Sequence, residues 1–138
     1  MIVVLDANVL VSGAVAQPGT PLARVIDLVH AHAFDLVLSD PILDEVARAL
    51  GDPYFTRRLA PMDSLAYQHL IRSRARLTPI TVVVQGVATH PEDDLVLATA
   101  VSAGADYLVT GDRALQQLGT YQSVTILSPR AFLQRLQR

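Results

Sequence analysis

The sequence predicts an α/β fold, three layers deep (α/β/α), around a central, mainly parallel sheet of five strands. Two observations predict it. Short apolar, β-branched runs alternate with helix-length amphipathic stretches, as in a parallel sheet covered on both faces. A polar residue followed by proline also recurs just before those stretches, at Thr20-Pro21, Asp40-Pro41, His90-Pro91 and Ser128-Pro129. Proline suits the first turn of a helix, where its missing N–H has no intrahelical partner to lose.

Taken in order, the expected strands are Ile2–Leu5, Phe34–Leu38, Ile80–Val84, Tyr107–Val109 and Val124–Leu127. Between and after them, helices are expected near 21–32, 41–50, 62–77, 93–103 and 129–137. Gly51, Gly104 and Gly119 fall where helices should stop. On the helix 41–50 the expected core face runs through Ile42, Leu43, Val46, Ala47 and Leu50. The absence of repeats, low-complexity tracts and linkers predicts one domain over 1–138.

Composition narrows the chemistry. Of the 138 residues, 51% are hydrophobic and 17% charged, with a formal net charge of -2. The 11 basic residues are all arginine, and Glu45 and Glu92 are the only glutamates among 13 acids. Without lysine there is no Walker-type phosphate lysine and no Schiff base. Without cysteine there is no thiolate nucleophile, disulfide or Cys-held metal. No apolar run approaches the ~18 residues of a membrane span. Met1 leads directly into a strand-like run rather than a signal peptide, so the cytoplasm is the expected compartment.

In an open parallel sheet, ligands bind beyond the carboxyl ends of the strands, where strand order reverses. Asp6 follows the first strand, Glu45 lies one turn into the helix after the second, Asp93 and Asp94 begin the helix after the third, and Asp112 closes the fourth. Carboxylates gathered at one edge raise one another's pKa unless a cation holds them together. A hard divalent ion with oxygen ligands, Mg²⁺ or Mn²⁺, meets that need. Singly, each acid also reads as a turn residue, an N-cap or a first-turn charge. Asp44 and Glu45 border the core face on opposite sides, and periodicity does not choose between them; nor does it choose between Asp93 and Asp94.

Four segments, in this order, carry a resemblance. They are Val4-Leu5-Asp6-Ala7-Asn8-Val9-Leu10, Leu38-Ser39-Asp40-Pro41-Ile42-Leu43-Asp44-Glu45-Val46, Pro91-Glu92-Asp93-Asp94-Leu95-Val96-Leu97-Ala98 and Val109-Thr110-Gly111-Asp112. Over nearly its whole length the chain resembles the PIN-domain nucleases, in particular the PIN-family (VapC-like) toxin components of toxin–antitoxin systems. The resemblance implies that Asp6, Glu45, Asp93 and Asp112 are the catalytic acids and hold Mg²⁺ or Mn²⁺, with Asn8 and Thr110 supporting them and Asp94 a second ligand or neighbour. It further implies an endoribonuclease acting on RNA, a homodimer and a protein antitoxin. The chain departs from its relatives at Thr89-His90-Pro91, where they often carry a further acid. His30, His32 and His69 have no partner pattern and read as structural.

Metal-assisted hydrolysis needs little from the protein beyond ligands. Phosphate contacts would come from arginine. Arg57, Arg58, Arg72, Arg74 and Arg76 face only Asp63 between 57 and 76, and on the expected helix 62–77 Arg72 and Arg76 share a face. Arg57, Arg58, Arg72 and Arg76 are the RNA-binding candidates; a plainly solvated helix face is the other reading. An aspartate after strand one also opens haloacid-dehalogenase-like phosphatases and receiver domains. Both usually use a later lysine, absent here, and the phosphatase wants Asp where this chain has Asn8. The remaining alternative is a non-catalytic metal- or RNA-binding PIN-like protein.

Overall fold

Six strands form the sheet, in the order β3-β2-β1-β4-β6-β5, in a computed structural model that describes residues 1–137. The chain runs through β1 (Ile2–Leu5), α1 (Ala7–Gly13), α2 (Pro21–His30), β2 (Asp35–Leu38), α3 (Asp40–Leu50), α4 (Pro53–Thr56) and α5 (Pro61–Arg74). It continues through β3 (Arg76–Leu77), α6 (Pro91–Ala103), β4 (Tyr107–Val109), α7 (Arg113–Leu118), β5 (Thr120–Tyr121), β6 (Val124–Leu127) and α8 (Pro129–Leu136). All pairings are parallel except β5 with β6. Consecutive residues Val3, Val4 and Leu5 of β1 are fully buried, as are Leu108 and Val109 of β4, so both faces of the central strands are covered.

Several expectations change. The sheet has six strands rather than five, because Ile80–Val84 is not a strand and two short edge strands take part instead. The edge place beside β2 is taken by Arg76–Leu77, paired with Val37 and Leu38, and Thr78 N–H extends the ladder to Leu38 O at 2.9 Å. Pro79 then has no N–H to offer and the ladder stops. The next residues run on outside the sheet, where Thr81 N–H bonds Ser102 Oγ and Val83 stands 88% exposed. β5 closes the other edge as a hairpin with β6.

The helix of 62–77 becomes α5, ending at Arg74, so Arg76 lies in a strand and shares no helical face with Arg72. Three short helices, α1, α4 and α7, were not anticipated. In α3 the N-cap is Ser39 rather than Asp40, and Ala47 is exposed while Ile42, Val46 and Leu50 form the buried face. Gly51, Gly104 and Gly119 each follow a helix as expected; Gly104, at φ 64°, takes the left-handed conformation that ends α6.

Strand order reverses between β1 and β4. The chain moves from β1 outward to β2 and β3, then returns to β1's other side with β4 and continues to β6. A crevice therefore opens beyond the carboxyl ends of β1 and β4, where Asp6 and Thr110 lie.

Candidate active site

Asp6 occupies the N-cap position of α1, yet its carboxylate makes no capping hydrogen bond. It turns toward the neighbouring strand end instead. Its Oδ2 accepts from Thr110 Oγ1 at 2.8 Å and from Asn8 Nδ2 at 3.3 Å. Asn8 uses its other end to accept from Gly111 N–H at 3.0 Å, and the fully buried Thr110 hydroxyl accepts from Asp112 N–H at 3.0 Å. Two side chains thus stitch the loop after β1 to the loop after β4. Burial raises the Asp6 pKa; the Thr110 hydroxyl and the polar field of the Ala7 and Asn8 amides oppose that, and the charge of Asp112 adds to it.

Asp112 does act as a cap. Its Oδ1 accepts from Ala114 N–H at 2.8 Å and Leu115 N–H at 3.4 Å, fixing the carboxylate at the start of α7. From there its charge reaches both Asp6 and Asp93.

The adjacent acids of α6 part company. Asp94 is buried, and its two oxygens accept from Gly86 N–H at 3.0 Å and Ala88 N–H at 2.7 Å, so it fastens the loop before α6. Asp93 faces the other way, into the crevice. Its pKa is pushed up to about 6, first by burial, then by the charges of Asp6, Asp112 and Glu92, with His90 pulling weakly the other way.

Glu45 reaches the crevice from α3. A cleft of about 620 Å³ is lined by Asp6, Asn8, Glu45 and Asp93, and also by Asp44 and Glu92. Asp112 is not among its lining residues. Glu45 is ion-paired with Arg48, one turn further along α3. Val11, Ile42, Phe55, Leu95 and Val96 add an apolar part to the lining.

Sequence reasoning missed one pair. Ser39 and Thr99 are both buried, their hydroxyls lie 2.8 Å apart, and Thr99 Oγ1 also donates to Leu95 O. This pair ties the start of α3, which carries Glu45, to α6, which carries Asp93. Two hydroxyl residues sixty positions apart give no local pattern that would announce the contact.

The arginines disperse. Arg58 folds back onto Tyr54, donating to its carbonyl at 2.7 Å with the guanidinium 3.6 Å from the ring centroid. Arg57 is exposed just after α4. Arg72 lines a second cleft, about 190 Å³, between α3 and α5, and Arg76 is exposed on the edge strand β3.

The charges of Asp6 and Asp112 oppose ionisation of Asp93, the charge of Asp112 opposes that of Asp6, and oxygen-only donors of this kind suit a hard divalent cation. Glu45, turned to Arg48, adds a further carboxylate to the cleft that Asp6 and Asp93 line. The carboxylates do not stand as a finished coordination cage: among the described residues no group of three acidic or histidine side chains is arranged to hold an ion as it stands. The donor chemistry fits such a cation.

Solved structures share the fold, and two of them illustrate it. One is VapBC2 from Rickettsia felis bound to a DNA fragment from their promoter, at 15% identity and a TM-score of 0.64, covering 91% of this chain and 97% of that one. The other is PAE2754 from Pyrobaculum aerophilum, at 19% identity and a TM-score of 0.67, covering 99% and 90%. No curated protein matches the sequence. The family model described as PIN domain matches residues 2–114, which takes in Asp6, Glu45, Asp93 and Asp112, and the chain belongs to that family.

Proposed function

We propose that this PIN domain is a Mg²⁺- or Mn²⁺-dependent endoribonuclease, the toxin component of a toxin–antitoxin system. The observation that carries this reading is made at the strand-order reversal, where the buried Asp6 meets the charge of Asp112 and Asp93 meets the charges of both. Asp6, Glu45, Asp93 and Asp112 are the metal-holding and catalytic residues. When bound, the cation lowers the pKa of water and neutralises charge building on a phosphodiester.

The chain's own groups supply position. Thr110 and Asn8 orient Asp6, the first turn of α7 anchors Asp112, and Asp94 fixes the loop that leads into α6. Arg57, Arg58, Arg72 and Arg76 are candidates for contacts to more distant RNA phosphates. The fold shared with VapBC2 supports a protein antitoxin as partner. A homodimer and a cytoplasmic site of action complete the reading. Among the described residues no helix is long and apolar enough to cross a membrane.

The test is a Mn²⁺-titrated cleavage assay on structured and unstructured RNA. Asp6→Asn and Asp93→Asn should each abolish cleavage while the circular dichroism spectrum stays that of the parent. Full activity in either variant would overturn the site assignment. Mn²⁺ uptake without cleavage would turn the reading toward a metal-binding protein that does not hydrolyse RNA.

A further inference from the structure

Among the described residues, the 620 Å³ cleft carries five carboxylates, from Asp6, Asp44, Glu45, Glu92 and Asp93, and a single cationic side chain, Arg48. A phosphodiester entering it meets strong repulsion unless something in the cleft is positive. Bound cation offsets part of that, but those charges are shared among the acids that hold it. Among the described residues lining the cleft, Arg48 is the one that brings a planar fork of N–H donors to phosphate oxygens there. In the structure that fork is turned to Glu45, three residues earlier on the same helix, and the Arg48 side chain is 75% exposed.

We infer that Arg48 is a phosphate-binding residue of this cleft, held by Glu45 in the cation-free protein and released to substrate when Glu45 turns to the metal. The inference rests on the nuclease reading above and extends it to a residue outside the carboxylate set. An exposed ion pair spaced i, i+3 on a helix contributes little, so Glu45 can exchange its partner at small cost. The arginines of 57–76 are worse placed for this role. Arg58 is committed to Tyr54, and Arg72 opens on the separate cleft between α3 and α5.

The consequences separate from those of the acids. Arg48→Met keeps the length of the stem and removes the charge. With an unpaired, 5′-labelled oligoribonucleotide of mixed sequence and Mn²⁺, it should raise KM about tenfold, as expected for loss of a charge-assisted hydrogen bond. kcat should stay within about threefold, since the contact is made equally in the bound ground state and in the transition state. The dependence of log KM on log salt should flatten by about 0.7, one single-strand phosphate contact. Mn²⁺ affinity without RNA, read by the paramagnetic resonance of free Mn²⁺, should be unchanged or about twofold tighter, because Glu45 loses its competitor. Arg48→Lys should restore the salt slope.

Unchanged KM and salt slope in Arg48→Met, beside a parent that cleaves, would overturn the inference and leave the nuclease reading intact. Weakened Mn²⁺ binding in that variant would also overturn it, showing that Arg48 serves the acids rather than the substrate. A parent protein that takes up Mn²⁺ but leaves the oligoribonucleotide whole would overturn the nuclease reading, and this inference with it.

Discussion

Thr110 Oγ1 donates to Asp6 Oδ2 at 2.8 Å, joining residues 104 positions apart at the ends of β4 and β1. The same hydroxyl accepts from Asp112 N–H, so one buried oxygen sets the position of two acids at once. It is also the largest influence holding the Asp6 pKa down against burial. That makes Thr110 a positioning residue with an electrostatic consequence, rather than a packing residue that happens to be polar.

Thr110→Val keeps the shape and removes the hydroxyl. It should cost about 1–2 kcal/mol of stability, a lost buried hydrogen bond with an amide left unpaired, measured by urea unfolding. Mn²⁺ affinity at neutral pH should fall about tenfold as Asp6 becomes harder to ionise and loses its orientation, in the range of losses seen when a metal ligand's hydrogen-bond partner is removed. Thr110→Ser should recover most of both. Unaltered Mn²⁺ binding in the valine variant would remove Thr110 from the site.

Asp93 and Asp94 are neighbours with opposite expected effects. Asp94→Asn puts an amide NH₂ against one of the two backbone N–H groups its carboxylate now receives, from Gly86 and Ala88. It should lose about 2 kcal/mol and lower Tm by several degrees. Asp93→Asn removes a charge opposed by Asp6, Asp112 and Glu92, so the cation-free protein should be as stable as the parent or more so, while Mn²⁺ binding is lost. If Asp93→Asn destabilises as much as Asp94→Asn, the division of roles between them is wrong.

Much of this arrangement was legible because parallel sheets leave a clear trace. Apolar runs marked β1, β2, β4 and β6, proline marked helix starts, and the acids following those runs had to fall at one edge. Failures cluster where a decision is made by tertiary competition. Ile80–Val84 has every local mark of a strand, yet Arg76–Leu77 reached the edge of β2 first and Pro79 ended the ladder. The choice between Asp93 and Asp94 also lay beyond periodicity, since it depends on which way each carboxylate turns and on a loop whose amides one of them collects. Likewise the bonding of Asp6 across to β4, instead of into its own helix, cannot be seen in Asp6-Ala7-Asn8 alone. The arginine stripe dissolved once α5 stopped at Arg74.

The Ser39–Thr99 contact predicts coupling between α3 and α6. Ser39→Ala and Thr99→Val should each cost about 1 kcal/mol, and the double variant less than their sum by about 0.5–1 kcal/mol. Because the two helices carry Glu45 and Asp93, either single change should also weaken Mn²⁺ binding. Strict additivity in unfolding, with Mn²⁺ affinity intact, would show that the hydroxyls are independent of one another and of the site.

The pH dependence follows from Asp93. Its pKa in the fold is about 6, above the value of 3.8 expected unfolded, so the native state holds that proton more tightly. The contribution is therefore fully present below about pH 3.8 and is lost as pH rises through about 6. Asp6, also raised, acts in the same direction. Other carboxylates slope the other way, so the difference between parent and Asp93→Asn isolates the effect. Without cation, the parent's stability relative to that variant should decline between pH 4 and 6 and then level off. A cation competes with the same proton, so Mn²⁺ affinity should climb over that interval and reach its plateau above about pH 6.5. A flat difference curve would mean that neither burial nor the charges of Asp6, Asp112 and Glu92 raise the Asp93 pKa in the fold, and the electrostatic support for a cation-binding group would be gone.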